Sequence, residues 1–236
     1  KTVTADITIS GNDKENYNFT VIESAKADIQ KKSVTISNAA AQDKVYDGTA
    51  VAVITGASLT GVVSPDVVNL SNASTGTFEQ TDAGTGIPVT TLMGLTGTDA
   101  DNYTLSEQPA GLVANITAAS LTVTADNQNV TYTGQEFTSF TASFEGFVAG
   151  DNESDLEGTL TYATDPVRPA VDAGNYTIIP SGLTSFNYSL NYENGTLTIA
   201  KADANISVTA FNVIYDGQSH TSTFTAVGVE TEPVDL

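Results

Sequence analysis

The chain has 236 residues, with 28 Asp and Glu against 8 Lys and Arg, for a formal charge of −20. Such a charge repels phosphate, which excludes general affinity for nucleic acid or acidic membrane surfaces. The absence of Cys removes disulfides, thiolate catalysis and Cys-ligated zinc, and a single His removes any multi-histidine metal centre.

In chain order, Val3-Thr4 and Ile7-Thr8-Ile9-Ser10 alternate apolar residues with Thr or Ser, the pattern of a strand with one face on a core. Asn16-Tyr17-Asn18-Phe19 follows, then the strand-like Ser33-Val34-Thr35-Ile36. Val45-Tyr46-Asp47-Gly48 and Asp82-Ala83-Gly84 read as turns. Asn102-Tyr103-Thr104-Leu105 leads to the alternating strand Leu121-Thr122-Val123-Thr124. Next come Val130-Thr131-Tyr132-Thr133-Gly134 and one short helical turn over 151–156. Asp172-Ala173-Gly174 reads as a further turn, followed by Asn187-Tyr188-Ser189-Leu190. Asn194-Gly195 predicts a type I′ hairpin before Leu197-Thr198-Ile199. The chain closes with Asn205-Ile206-Ser207-Val208 and Ile214-Tyr215-Asp216-Gly217.

Two markers recur with nearly one period, the first at Tyr17, Tyr103 and Tyr188, the second at Tyr46, Tyr132 and Tyr215. The repeat is therefore about 85 residues, long enough to be a domain. The phase of the markers makes residues 1–30 the end of an upstream repeat, 31–118 and 119–201 two complete repeats, and 202–236 the start of another. The joints at Ile29-Gln30-Lys31-Lys32-Ser33, Ile116-Thr117-Ala118-Ala119-Ser120 and Ile199-Ala200-Lys201-Ala202-Asp203 lack flexible Gly/Ser or Pro-rich spacers. Short strands with mostly antiparallel signatures predict an all-β fold, a two-layer sandwich or a related curled sheet in each repeat.

Lys44-Val45-Tyr46-Asp47-Gly48-Thr49 resembles the opening of the YDG repeats of large bacterial surface proteins. Leu121-Thr122-Val123-Thr124-Ala125, Val130-Thr131-Tyr132-Thr133-Gly134 and Asp172-Ala173-Gly174-Asn175-Tyr176-Thr177 resemble the related MBG domains, as does Gly195-Thr196-Leu197-Thr198-Ile199. The resemblance implies tandem immunoglobulin-like β-sandwich domains in an extended array, on the outer surface of a bacterium. The second repeat departs at Thr133, where the others carry Asp47 and Asp216. No catalytic residues carry over.

Acidic loop clusters are the main chemical signal. Asp99 with Asp101, and Asp151 with Glu153 and Asp155, space carboxylates as Ca²⁺ ligation requires, although none matches a calcium-loop motif. Asp13 and Glu15 form a lesser pair. A cofactor is not required; these loops read either as merely solvated or as holders of structural calcium. The recurrent tyrosines read as partly buried rings with hydroxyls bonded near turns, or as platforms for a sugar. His220 has no evident partner in sequence, Arg168 lies in a loop, and Lys44 is a remote candidate for a Lys–Asn or Lys–Asp crosslink. The Phe-rich stretch 137–147 is the place for a ligand groove, with alternating core phenylalanines the simpler account.

The expected function is a non-enzymatic stalk or spacer of a cell-surface adhesin, projecting a distal binding region. The alternative is a direct adhesion or glycan-binding module. Expected partners are neighbouring repeats of the same chain, with host or surface glycan or protein engaged through other regions. A monomer is expected. No stretch approaches the ~20 apolar residues that span a bilayer, and with neither signal peptide nor sorting tail legible, the sequence reads as an excised soluble segment.

Overall fold

The computed structural model describes residues 7–18, 28–148, 150–167, 169–210 and 212–229. They are essentially all β, in several small mixed sheets. The described residues fall into two compact units: those within Lys1–Gln42, Val51–Glu79 and Pro88–Ala114 make the first, and those within Asp43–Ala50, Gln80–Ile87 and Asn115–Leu236 the second. Val3-Thr4 and Arg168 lie outside the described residues. Ile7–Ser10, expected as a strand, forms none, and Ile7 and Ile9 are exposed, so the alternation there buries no face.

The first eleven strands are β1 (Lys32–Ser37), β2 (Ala40–Ala41), β3 (Lys44–Val45), β4 (Val51–Thr55), β5 (Ser58–Thr60), β6 (Asn69–Ser71), β7 (Thr75–Phe78), β8 (Gly84–Thr91), β9 (Gly94–Thr96), β10 (Tyr103–Leu105) and β11 (Val113–Thr117). Their sheets run β10-β1-β5, β2-β4-β7-β8-β11-β3 and β6-β9. In β4 and β7 every second residue is buried, so Ala52, Ile54, Gly76 and Phe78 point inward while the valines and threonines between them face out.

Seven strands follow: β12 (Ala119–Ala125), β13 (Gln128–Thr131), β14 (Ala142–Glu145), β15 (Glu157–Asp165), β16 (Gly174–Thr184), β17 (Tyr188–Glu193) and β18 (Gly195–Ala200). They form sheets β14-β12-β17 and β13-β18-β16-β15. The expected alternation is realised in β12, where Ala119, Leu121, Val123 and Ala125 are buried and the residues between are not. Tyr176, Ile178, Leu197 and Ile199 form a core with Ala125 and Ala170, and Val130, Tyr132, Phe137, Phe140 and Tyr162 pack against it. Each fully buried side chain of this size contributes about 1.5–3 kcal/mol over leaving it in water. A last pair, β19 (Asn205–Val208) and β20 (Phe224–Val227), is antiparallel and largely exposed.

Pairing is less uniformly antiparallel than the sequence suggests. β1 runs parallel to β10, β3 to β11, β12 to β17 and β13 to β18. The same crossing explains Asn194-Gly195, which joins no hairpin: β17 pairs with β12, whereas β18 pairs with β13 and β16. Gly195 does not have a positive φ. It is glycine because a Cβ there would collide with the Ala125 carbonyl.

Candidate functional site

Two of the marker tyrosines, Tyr103 and Tyr188, each sit in a clasp of the same form, and a third, Tyr46, joins the second. Gly61-Val62-Val63-Ser64-Pro65-Asp66 and Gly146-Phe147-Val148-Ala149-Gly150-Asp151 share a Gly-x-Val-x-x-Asp pattern, one repeat apart. Gly61 and Gly146 have φ of 96° and 111°, a region that favours glycine, so the loop can leave its sheet there. The Tyr103 hydroxyl donates to Asp66 Oδ2 at 2.6 Å and accepts the Val63 N–H at 3.1 Å. The Tyr188 hydroxyl donates to Asp151 Oδ2 at 2.6 Å and accepts the Val148 N–H at 2.9 Å. In both clasps Asp and Tyr are 37 residues apart, and Val and Tyr 40. Both rings are 4% exposed.

The clasp of the second unit has more partners. Tyr46 lies on the Asp43–Ala50 segment of the same unit, and its hydroxyl donates to Asp151 Oδ2 at 3.0 Å. The Tyr46 and Tyr188 rings meet edge-on, centroids 5.6 Å apart, and Phe147 meets Tyr188 likewise at 5.6 Å. Next to Tyr188, Asn187 donates through Nδ2 to Asp82 Oδ1 at 3.0 Å and accepts the Ala83 N–H through Oδ1 at 2.8 Å. Burial, then the bond to Asp151, pushes the Tyr188 hydroxyl up to about 12 and raises that of Tyr46. Tyr103 is raised chiefly by its bond to Asp66.

Several of the acidic candidates have hydrogen-bond partners within the protein. Asp99 Oδ2 accepts from the Val67 N–H at 2.9 Å and the Thr98 hydroxyl at 3.1 Å. Asp101 lies in a 3-10 turn, Ala100–Asn102, beside a cavity of about 540 Å³. Asp151 receives both tyrosines. Glu153 and Asp155 belong to a second 3-10 turn, Glu153–Asp155, in which Asp155 accepts the Asn152 N–H and Asn152 the Ser154 N–H, a capping box. Beside Asp13, Lys14 makes a loose 3.9 Å contact with Glu15. Among the described residues no three His, Cys, Asp or Glu side chains are grouped to hold a metal ion.

The other candidates have ordinary partners. Lys44 Nζ binds Asp47 Oδ1 at 2.6 Å and the Thr49 hydroxyl at 3.1 Å, which fixes the Asp47-Gly48 turn and lowers the Asp47 carboxyl. His220, which sequence left without a partner, lies 2.8 Å from Asp216 Oδ1, four residues earlier. Phe137 and Phe140 meet edge-on at 5.1 Å and pack on the core, as the simpler account of that stretch expects. Tyr46, Tyr103 and Tyr188 present no open face to a sugar, while Tyr17 and Tyr215 are exposed.

Sequence reasoning found the tyrosines and missed Asp66 and the role of Asp151. The recurrent Gly-x-Val-x-x-Asp was the available signal.

The fold and the paired clasp define an all-β protein with an internal repeat of domain length. Residues 30–110 match the family model of the YDG domain, and residues 121–198 that of the MBG domain of the YGX type. Neither the curated proteins nor the solved structures include a significant match. Among the described residues, no helix is long and apolar enough to cross a membrane.

Proposed function

We propose that the chain is a non-enzymatic stalk or spacer segment of an extracellular bacterial surface adhesin, holding a distal binding region away from the cell. On this reading, residues 31–118 and 119–201 are immunoglobulin-like sandwiches in an extended array, flanked by parts of further repeats at 1–30 and 202–236. The observation that carries it is the clasp. The same three groups recur one repeat apart with matching partners and burial, as a fold requirement would have them. The YDG and MBG matches support the same class. Acidic outer faces would keep neighbouring chains apart. In this proposal Asp99, Asp101, Asp151, Glu153 and Asp155 remain the places for calcium to stiffen a loop.

Small-angle X-ray scattering of the chain tests the reading. At about 35–45 Å per repeat, from strand rise and length, a rod with maximum dimension above about 100 Å is expected. A radius of gyration of about 18 Å, that of one compact domain of this length, would overturn it. A profile that stiffens with calcium and relaxes with chelator would assign the acidic loops a structural ion.

A further inference from the structure

We infer that the cavity beside Tyr103 is a socket for the tyrosine turn and the Asp-Ala-Gly turn of a preceding repeat. This rests on the tandem-repeat reading above. The second unit shows the filled form. There Tyr46 reaches Asp151, and Asp82 with Ala83 engages both ends of the Asn187 amide. Shifted back by one repeat, Asp151, Asn187 and Tyr188 become Asp66, Asn102 and Tyr103. These three line the cavity of about 540 Å³ in the first unit, with Val63 as the counterpart of Val148. The chemistry offered is the same: a carboxylate oxygen already holding one tyrosine, and a side-chain amide beside it.

A second observation says what belongs there. The Tyr46 N–H donates to the Thr117 carbonyl at 2.8 Å, and the Tyr132 N–H to the Ala200 carbonyl at 2.8 Å. In each case the marker tyrosine runs beside the residue that follows a buried isoleucine, Ile116 at 1% and Ile199 at 4% exposure. The corresponding residue before the first repeat is Ile29, followed by Gln30, and both border the cavity. Ile29 is 63% exposed, so it lacks the packing that its two counterparts have. A tyrosine strand laid along Ile29-Gln30 would cover that side chain and carry its hydroxyl to Asp66, as Tyr46 carries its own to Asp151. The occupant is therefore a Tyr-bearing turn of a like repeat, and Asp66 serves both as internal clasp and as joint.

The test duplicates residues 32–118 in line after Ala118 within the full chain, so that the inserted copy has a like repeat ahead of it. The chain has no Cys, so introduced pairs are unambiguous. Asp82→Cys in the first copy with Asn102→Cys in the second probes the new joint. Asp82→Cys in the second copy with Asn187→Cys is the internal standard. Both pairs are expected to bridge with a short bismaleimide at comparable rates, roughly tenfold or more faster than a pair placing the first cysteine at exposed Leu92, because docking raises effective concentration. Tyr46→Phe in the first copy should slow the new bridge and leave the standard unchanged. Bridging of the standard alone would overturn the inference. Bridging of neither would overturn it too, since the geometry that defines the socket would then not hold in solution. A rod-like scattering profile without the new bridge would sink the socket and leave the stalk, and a bridged but compact chain would do the reverse.

Discussion

Tyr188 illustrates how a phenol can be held by its edges rather than offered as a surface. Tyr188→Phe leaves the Val148 N–H without its acceptor and removes one of the two donors on Asp151. An unsatisfied buried group costs about 1–3 kcal/mol, and urea denaturation should register a loss of that size. Alkaline pH tests the same group. The unfolded tyrosine ionises near 10.0 and Tyr188 at about 12, so between those values the unfolded state binds fewer protons. Its contribution is complete below pH 10 and should drain away as pH rises toward 12, and tyrosinate absorbance should show a late step that Tyr188→Phe lacks. A single tyrosine step near pH 10 without unfolding would contradict the clasp. The tyrosines were legible because their period is nearly constant. The bonds Asp151 makes were not legible, because Glu153 and Asp155 are its neighbours in sequence, whereas its partners Tyr188 and Tyr46 lie 37 and 105 residues away.

Strands were legible wherever one face is dry and the other wet, as in β12, where burial follows alternate residues. Their pairing was not, because alternation is identical for a strand with parallel or antiparallel neighbours. Gly195 shows the cost of that ambiguity: Asn-Gly is the best short hairpin signal, yet here the glycine is selected by the Ala125 and Asp126 backbone lying against its α-carbon. Gly195→Ala should therefore destabilise by about 1–3 kcal/mol, the range for overpacking. Thr196→Ala, at an exposed position one residue on, should stay within about 0.5 kcal/mol. Equal melting temperatures for the two variants would show that the glycine answers to something other than this contact.

At the scale of the whole molecule, the parallel ladders decide how a pulled chain would respond. β13 and β18 lie about 70 residues apart in the chain, and the two run side by side in the same direction over four residue pairs. Tension drawn through the chain moves β13 backward and β18 forward, so the hydrogen bonds between them are loaded across their length and share the force together. An antiparallel pair entered from one end would instead open rung by rung. Optical-tweezer or atomic-force extension at the termini should thus show an abrupt rupture, and Val130→Pro, which places a ring in β13, should lower the rupture force. A gradual, low-force extension of the unmodified chain would mean that the ladder bears no load.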